Sequence, residues 1–386
     1  MSPHSRRGRA VRWGVPIAAV AVVGAVLGTG PVIAAVQGDP VLPDRTAEQL
    51  LTEVVRAAQK DEMPPMSGTI VETASLGIPG LPADAGAPGS LASLLSGSHE
   101  VRVWYGGERR LRLAVPGRMS ETDLIVNGDQ VWMWESSSNT ATRIKTAEGG
   151  PRGRDVTGRS SPPPGPVTPQ DAARLFLDAV DEHTAVSVTA DERVAGRAAY
   201  RLVLTPEDPR TLVREVRLVI DGETYTPLRV QVFAQGAIEP AFEVGYSSVT
   251  FSPPAPENFA FTPPPGARVE ERTLGAQTRP EHPRMKEAAK KAGSVTTRGQ
   301  GWTTVVVAPF DPGLLDTGSG EAARDERRDT AALGEAVLRA AKPVSGAWGS
   351  GRLIETKLVT ALLTDDGRLL AGAVTPDVLY EAAGRG

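Results

Sequence analysis

The chain has 386 residues, 41 glycines, 33 prolines, no cysteine and a formal net charge of −4. Its length suits about two or three domains, and a hydrophobic fraction of 40% can bury a core in most of it. Lack of cysteine excludes disulfides, thiolate metal sites, a cysteine nucleophile and a lipid-modified N-terminal cysteine, and the acidic balance offers no basic face for nucleic acid.

Residues 1–12 carry Arg6, Arg7, Arg9 and Arg12 and no acid, and an apolar run from Trp13 to Val36 follows. A membrane-spanning helix needs about 20 apolar residues and a signal-peptide core about 7–15. Residues 13–36 therefore read as a transmembrane anchor or a long signal peptide, with Val32-Ile33-Ala34 as the small-residue cleavage pattern. An uncleaved anchor is the preferred expectation; a cut near Ala34 would release the body. Either way the arginines stay cytoplasmic and everything after Gln37 is translocated. Arg6-Arg7 lacks the apolar pair that follows in a twin-arginine signal.

Thr46-Ala47-Glu48-Gln49 forms a capping box, and Leu50, Leu51, Val54, Val55 and Ala58 then recur at helical spacing. Past Pro64 and Pro65 the period becomes two. Thr69–Thr73 is strand-like, and Glu100–Tyr105 and Arg109–Val115 alternate around Gly106-Gly107. Leu124-Ile125-Val126 and Val131–Trp134 flank Asn127-Gly128, a strong hairpin dipeptide. A Pro-rich loop spans Ser161–Pro166. A second helix starts at Thr168-Pro169, with Ala173, Phe176, Leu177 and Val180 on one face. Strands resume at Ala185–Val188, Ala199–Leu204, Arg214–Ile220, Leu228–Ala234 and Ala241–Phe251, with Asp221-Gly222 in a turn. A strand meander with inserted helices predicts an antiparallel sheet carrying helices on one face.

Three segments resemble the LolA/LolB-like lipoprotein-carrier superfamily. Gly128–Trp134 resembles its "dG..vW.y" strand, Val194–Leu202 its "v.Gr.ay.l" strand, and Phe259–Ala267 its "F.f.pP.Ga" ending. The resemblance covers residues 44–270 and implies an α+β fold, a half-open antiparallel β-barrel with helices lidding a concave apolar face that receives acyl chains. The implied cavity residues are Trp132, Trp134, Trp104, Leu124, Val126, Leu218, Ile220 and Phe233. Trp132 and Trp134, two apart, share a face, and Trp104 points away from Val103 and Tyr105. The alternative for each is a core residue under the helices. A lipid site needs apolar area and a mouth rather than a catalytic group, since each buried CH₂ contributes about 0.8 kcal/mol.

Residues 271–298 are polar and charged, with a short basic helix around Met285–Ala292, and read as a linker. Residues 299–386 read as a small α+β domain, large enough to fold alone. It has a strand Trp302–Val307, a helix Thr330–Ala341, strands Leu358–Leu363 and Leu369–Val374 around Asp365–Arg368, and a closing helix Pro376–Ala383. A LolA-like body followed by a small domain is similar to the plan of the RseB/MucB family, and Val374–Leu379 resembles that family's C-terminal stretch. This resemblance implies an extracytoplasmic regulator that binds a membrane anti-sigma factor through its C-terminal domain, residues 299–386.

Catalytic patterns are sparse. The histidines, His4, His99, His183 and His282, have no metal-ligand spacing, and no Gly-x-Ser-x-Gly, P-loop or dinucleotide motif occurs. Leu314–Ser319 matches the aspartic-protease Asp-Thr-Gly-Ser signature at Asp316, but that chemistry needs a second aspartate about 3 Å away and only one copy is present. A Gly/Ser loop is the simpler reading. The expectation is a membrane-tethered binding protein without cofactor or covalent chemistry, with an envelope-stress regulator as the alternative and a protease as a remote one.

Overall fold

A computed structural model describes residues 42–59, 63–80, 96–107, 109–117, 119–146, 168–177, 180, 183–274, 295–310 and 336–385. The expected anchor at 13–36, the Ser161–Pro166 loop, the basic helix near Met285 and Asp316 lie outside these residues. Among the described residues, no helix is long and apolar enough to cross a membrane.

Most of the described chain is β. Twelve strands form one sheet: β1 Met66–Ser75, β2 Ser96–Tyr105, β3 Arg110–Pro116, β4 Glu121–Asn127, β5 Gln130–Glu135, β6 Thr140–Thr146, β7 Thr184–Val194, β8 Arg197–Pro206, β9 Val213–Asp221, β10 Pro227–Ala234, β11 Phe242–Thr250 and β12 Arg268–Leu274. Their order is β12-β6-β5-β4-β3-β2-β1-β11-β10-β9-β8-β7. Neighbours are antiparallel except β12, which runs parallel to β6. The sheet is open, with β12 and β7 as its edges, so it corrects the expected purely antiparallel half-barrel to a mixed sheet.

The parallel edge follows from the connection. β11 lies mid-sheet beside β1, so the chain from 251 to 267 must pass behind seven strand spacings, about 34 Å. Phe259, in the short helical turn Pro256–Phe259, is 1% exposed. This strap covers the outer face, and β12 occupies part of the stretch read as linker.

Two helices cover the opposite, inner face. The first, Ala47–Gln59, is capped as expected: the Gln49 backbone N–H donates to Thr46 Oγ1 at 3.2 Å, and the Thr46 N–H to Gln49 Oε1 at 3.1 Å. It buries Leu50 and Val54. The second, Pro169–Leu177, packs Ala172, Ala173 and Phe176 onto β10 and β11. Beneath them lie Tyr200, Leu202, Leu218, Ile220, Val230 and Val244, each no more than 1% exposed. Gly68 in β1 permits a tight crossing here, because a Cβ would sit 2.5 Å from the Ser248 carbonyl oxygen and 3.2 Å from the Tyr246 ring.

Six further strands make a second, antiparallel sheet: β13 Thr296–Arg298, β14 Val305–Pro309, β15 Lys342–Gly346, β16 Gly349–Glu355, β17 Thr360–Thr364 and β18 Arg368–Gly372, ordered β13-β14-β18-β17-β16-β15. The helix Pro376–Gly384 packs on it, and residues 336–340 are helical within the expected Thr330–Ala341. Trp302 was expected to open a strand; it sits instead in a turn, Gly301–Thr303, before β14. Its ring stacks on Phe176 at 6.2 Å, and its indole N–H donates to Thr184 Oγ1 at 2.9 Å. Thr211 bridges to Val374, and the Lys357 N–H donates to the Leu76 carbonyl at 2.8 Å. Trp302, Leu358 and Ala373 thereby join the core of the large sheet.

Hairpin connections place the two ends of the large sheet. The turns holding Gly107, Gly128 and Gly196 lie at one end, with Leu42–Thr46: the Tyr200 hydroxyl donates to the Pro43 carbonyl, and Leu42 lies against Gly222. The second sheet docks at the other end. Asn127 pairs with Gln130, so the tight loop is Gly128-Asp129, one residue beyond the Asn127-Gly128 expected, with Gly128 at φ 63°.

Candidate functional site

Strand register sorts the side chains onto the two faces, because partners directly opposite each other share a face. On the inner face one row runs Val103, Leu113, Leu124, Met133 and Thr142 across β2 to β6, and the next runs Tyr105, Leu111, Val126, Val131 and Ile144. The helices do not cover this half completely. Val103 is 3% exposed, Leu113 and Leu124 are half-buried, and Met133 is 44% exposed. An apolar surface thus emerges sideways from the buried core onto β3–β6.

The same face holds a polar break. Glu72 on β1 stands opposite His99 on β2 and Val244 on β11. Glu72 is 2% exposed and His99 4%. Ile70 and Ala74, buried at 2% and 4%, flank Glu72 along its own strand. Burial pushes the Glu72 carboxyl up to about 9, with no cation or donor among the described residues to offset it. Burial likewise pushes the His99 imidazole down to about 4. At neutral pH the pair is a carboxylic acid beside an uncharged imidazole. The signal was present in the sequence, since Glu72 shares strand parity with Ile70 and Ala74.

The implied cavity residues divide between the two faces. Leu124 and Val126 lie on the half-buried apolar surface. Leu218 and Ile220 share that face but are fully buried beneath the helices and fill the core. Trp104, Trp132, Trp134 and Phe233 project from the other side. Trp104, Arg112, Ile125, Trp132 and Arg143 form one outer-face row, with Trp134 opposite Asp123 in the next. Trp132 and Trp134 meet Phe261 of the strap at 5.5 and 6.1 Å between ring centroids. Phe233 lies under the Arg214 and Arg217 guanidiniums, at 5.1 and 4.2 Å. Period-two alternation puts Trp132 and Trp134 together; it cannot say which side the helices choose.

The outer face also holds a buried ion pair. Arg112 Nη2 donates to Asp123 Oδ2 at 2.6 Å, Asp123 is 2% exposed, and the Arg112 guanidinium covers the Trp104 ring at 5.4 Å. Arg112 Nε, Asp123 Oδ1 and Trp132 Nε1 have no protein partner. Where the two sheets meet, a cleft of about 450 Å³ is lined by His183, Glu207, Asp208, Gln300, Trp302 and Thr303. Asp208 there is held below the usual carboxylate range by Arg210, whose side chain and backbone both donate to it. Among the described residues, no three His, Asp or Glu side chains converge as a metal site would require.

No family model matches the sequence, and no curated protein matches it. Solved structures that match include MucB and LolA-superfamily proteins. MucB in the Pseudomonas aeruginosa MucA/MucB complex is 15% identical at a TM-score of 0.39, over 86% of this chain and 96% of that one. LprF from Mycobacterium bovis is 10% identical at 0.29, over 57% and 99%. A LolA superfamily protein from Nitrosomonas europaea is 14% identical at 0.21, over 56% and 99%.

Proposed function

We propose that this chain is an extracytoplasmic, membrane-tethered binding protein that receives an acyl chain, from a lipid or a lipoprotein, on the inner face of β3–β6 and does no covalent chemistry. One observation carries the reading. The apolar inner-face rows run on past the helices, so that Leu113, Leu124 and Val126 are only half-buried and Met133 is 44% exposed. A surface of this kind, continuous with a core, suits an occupant that brings its own hydrocarbon. Ten methylenes buried there would contribute about 8 kcal/mol, equivalent to micromolar affinity.

The tether is part of the proposal. Residues 42–46 sit at one end of the large sheet, so an N-terminal anchor would hold that end near the bilayer and the second sheet away from it. Native mass spectrometry of the membrane-extracted protein tests the binding reading. Co-purified lipid should be present in the wild type and lost in Met133→Arg and Leu124→Arg; lipid retained equally in both variants would refute it.

A second reading, a regulator that contacts a membrane anti-sigma factor, is favoured by Met119 and Ile238. They are 99% and 92% exposed, on hairpin loops at the end of the sheet where residues 299–385 dock. Crosslinking in cells should lose a membrane partner in the Met119→Asp/Ile238→Asp double variant if this is right, and an unchanged partner set would sink it.

A further inference from the structure

We propose that the outer edge of β7 and the cleft beside it form a docking groove for an extended segment of another protein, one that alternates apolar and polar residues and ends in a lysine or arginine. It goes beyond the acyl-binding reading and uses a different part of the molecule.

The edge comes first. β7 and β12 both end the large sheet, and among the described residues no strand lies beyond β7. A sheet edge offers backbone N–H and C=O groups to any incoming strand, so chains guard it with charges, prolines or bulges. β12 is guarded: Arg268, Glu270, Glu271 and Arg272 fill four of its seven positions. β7 is guarded only at its far end, where Asp191, Glu192 and Arg193 follow one another and the pairing with β8 shifts register between Thr189 and Glu192. The stretch Thr184–Ala190 holds no charge, proline or glycine. Val186, Val188 and Ala190 are half-buried against the core, whereas Ala185, Ser187 and Thr189 are exposed. Partners across a ladder share a face. A strand with apolar residues opposite Val186, Val188 and Ala190 would therefore extend that core and turn its polar residues to water.

The cleft names the end of the occupant. It opens at the start of β7, with His183, Glu207 and Asp208 on one side and Gln300, Trp302 and Thr303 on the other, and its 450 Å³ has room for a long side chain. Arg210 engages Asp208. Glu207 is exposed and has no cationic partner among the described residues. A lysine or arginine reaching in would pair with Glu207 and lay its methylenes along the Trp302 wall. A strand antiparallel to β7 would bring its C-terminal end there. A second copy fits less well, because two β7 strands paired antiparallel would put the Leu42–Thr46 ends of the copies at opposite ends of the joined sheet. Copies tethered to one membrane as proposed above could not pair so.

Fluorescence anisotropy with the full-length protein in detergent tests the groove. The probe is a labelled peptide that alternates valine and threonine over the length of Thr184–Ala190 and ends in lysine. Only alternate amides of an added strand face β7. Of two N-methylated forms, blocked at odd or at even positions, one should lose about tenfold or more in affinity, and the other should bind as the parent does. Glutamine in place of the terminal lysine should weaken binding by about fivefold, and Glu207→Gln, an exposed substitution, should erase that difference. A peptide that does not bind, equal behaviour of the two N-methylated forms, or a lysine preference that survives in Glu207→Gln overturns the proposal. So does a dimer in sedimentation equilibrium that the peptide dissociates, since the edge would then belong to a second copy.

Discussion

Replacing Glu72 by Gln should change the pH dependence of stability in a way that identifies the buried acid. In the folded protein the carboxyl titrates at about 9, against 4.5 when unfolded. Between those values the folded state holds a proton that the unfolded state has released, so stability falls as pH rises, by about 1.4 kcal/mol per pH unit. At pH 7 the accumulated cost is about 3 kcal/mol. His99 acts in the opposite direction. It titrates at about 4 when folded and 6.5 when unfolded, so its contribution to stability is complete above 6.5 and is lost as pH falls toward 4. From 4.5 to 6.5 the two slopes cancel; from 6.5 to about 9 the Glu72 slope stands alone. Urea unfolding followed by tryptophan fluorescence at pH 5, 6.5, 7.5 and 8.5 reads this directly. The stability gain of Glu72→Gln over wild type should grow with pH, by about 3 kcal/mol between 6.5 and 8.5. Substituting His99 by Gln should move the onset of the wild-type decline from 6.5 down to 4.5. A Glu72→Gln difference that stays flat from pH 5 to 8.5 would refute the reasoning, because it would mean that the carboxyl reaches water or a cation.

Other substitutions test particular contacts. Arg197 pairs with Asp221, which is 0% exposed, so Arg197→Ala should cost about 3–5 kcal/mol in urea unfolding by leaving that carboxylate buried and unpaired. Burial raises the Asp221 carboxyl, but Arg197 and the Thr224 N–H and hydroxyl hold it below its ordinary 3.8; its stabilisation is therefore present above 3.8 and lost as acid titrates it. Thr46→Ala removes the Oγ1 acceptor of the Gln49 N–H and should cost about 1 kcal/mol. Gly68→Ala forces a methyl to 2.5 Å from the Ser248 carbonyl oxygen and should lower the melting temperature clearly. Trp302→Ala should loosen the junction of the two sheets and destabilise by about 3–5 kcal/mol, measured as a fall in the unfolding midpoint.

Local signals in the chain determined much of this protein. The capping box at Thr46, the Pro169 helix start and the alternation through β2–β5 and β8–β11 each depend on residues close in sequence, so each was legible there. β6 and β12 were not. Thr140–Thr146 and Arg268–Leu274 are polar strands that pair with each other across more than a hundred residues, with β12 at the sheet's edge and β6 between it and β5. For the same reason residues 299–386 looked self-contained, although Trp302 and Ala373 complete a core built elsewhere in the chain. Among the implied site residues, strand parity correctly put Trp132 with Trp134 and set Trp104 against Tyr105. Which parity faced the helices was decided only when Phe176 packed over β10 and Phe259 crossed behind β3. That choice left the tryptophans under the strap, Leu124 and Val126 on the apolar surface, and Glu72 buried without a counter-ion. Sequence sets the alternation of a strand; only the packing of distant segments against it assigns an inside and an outside.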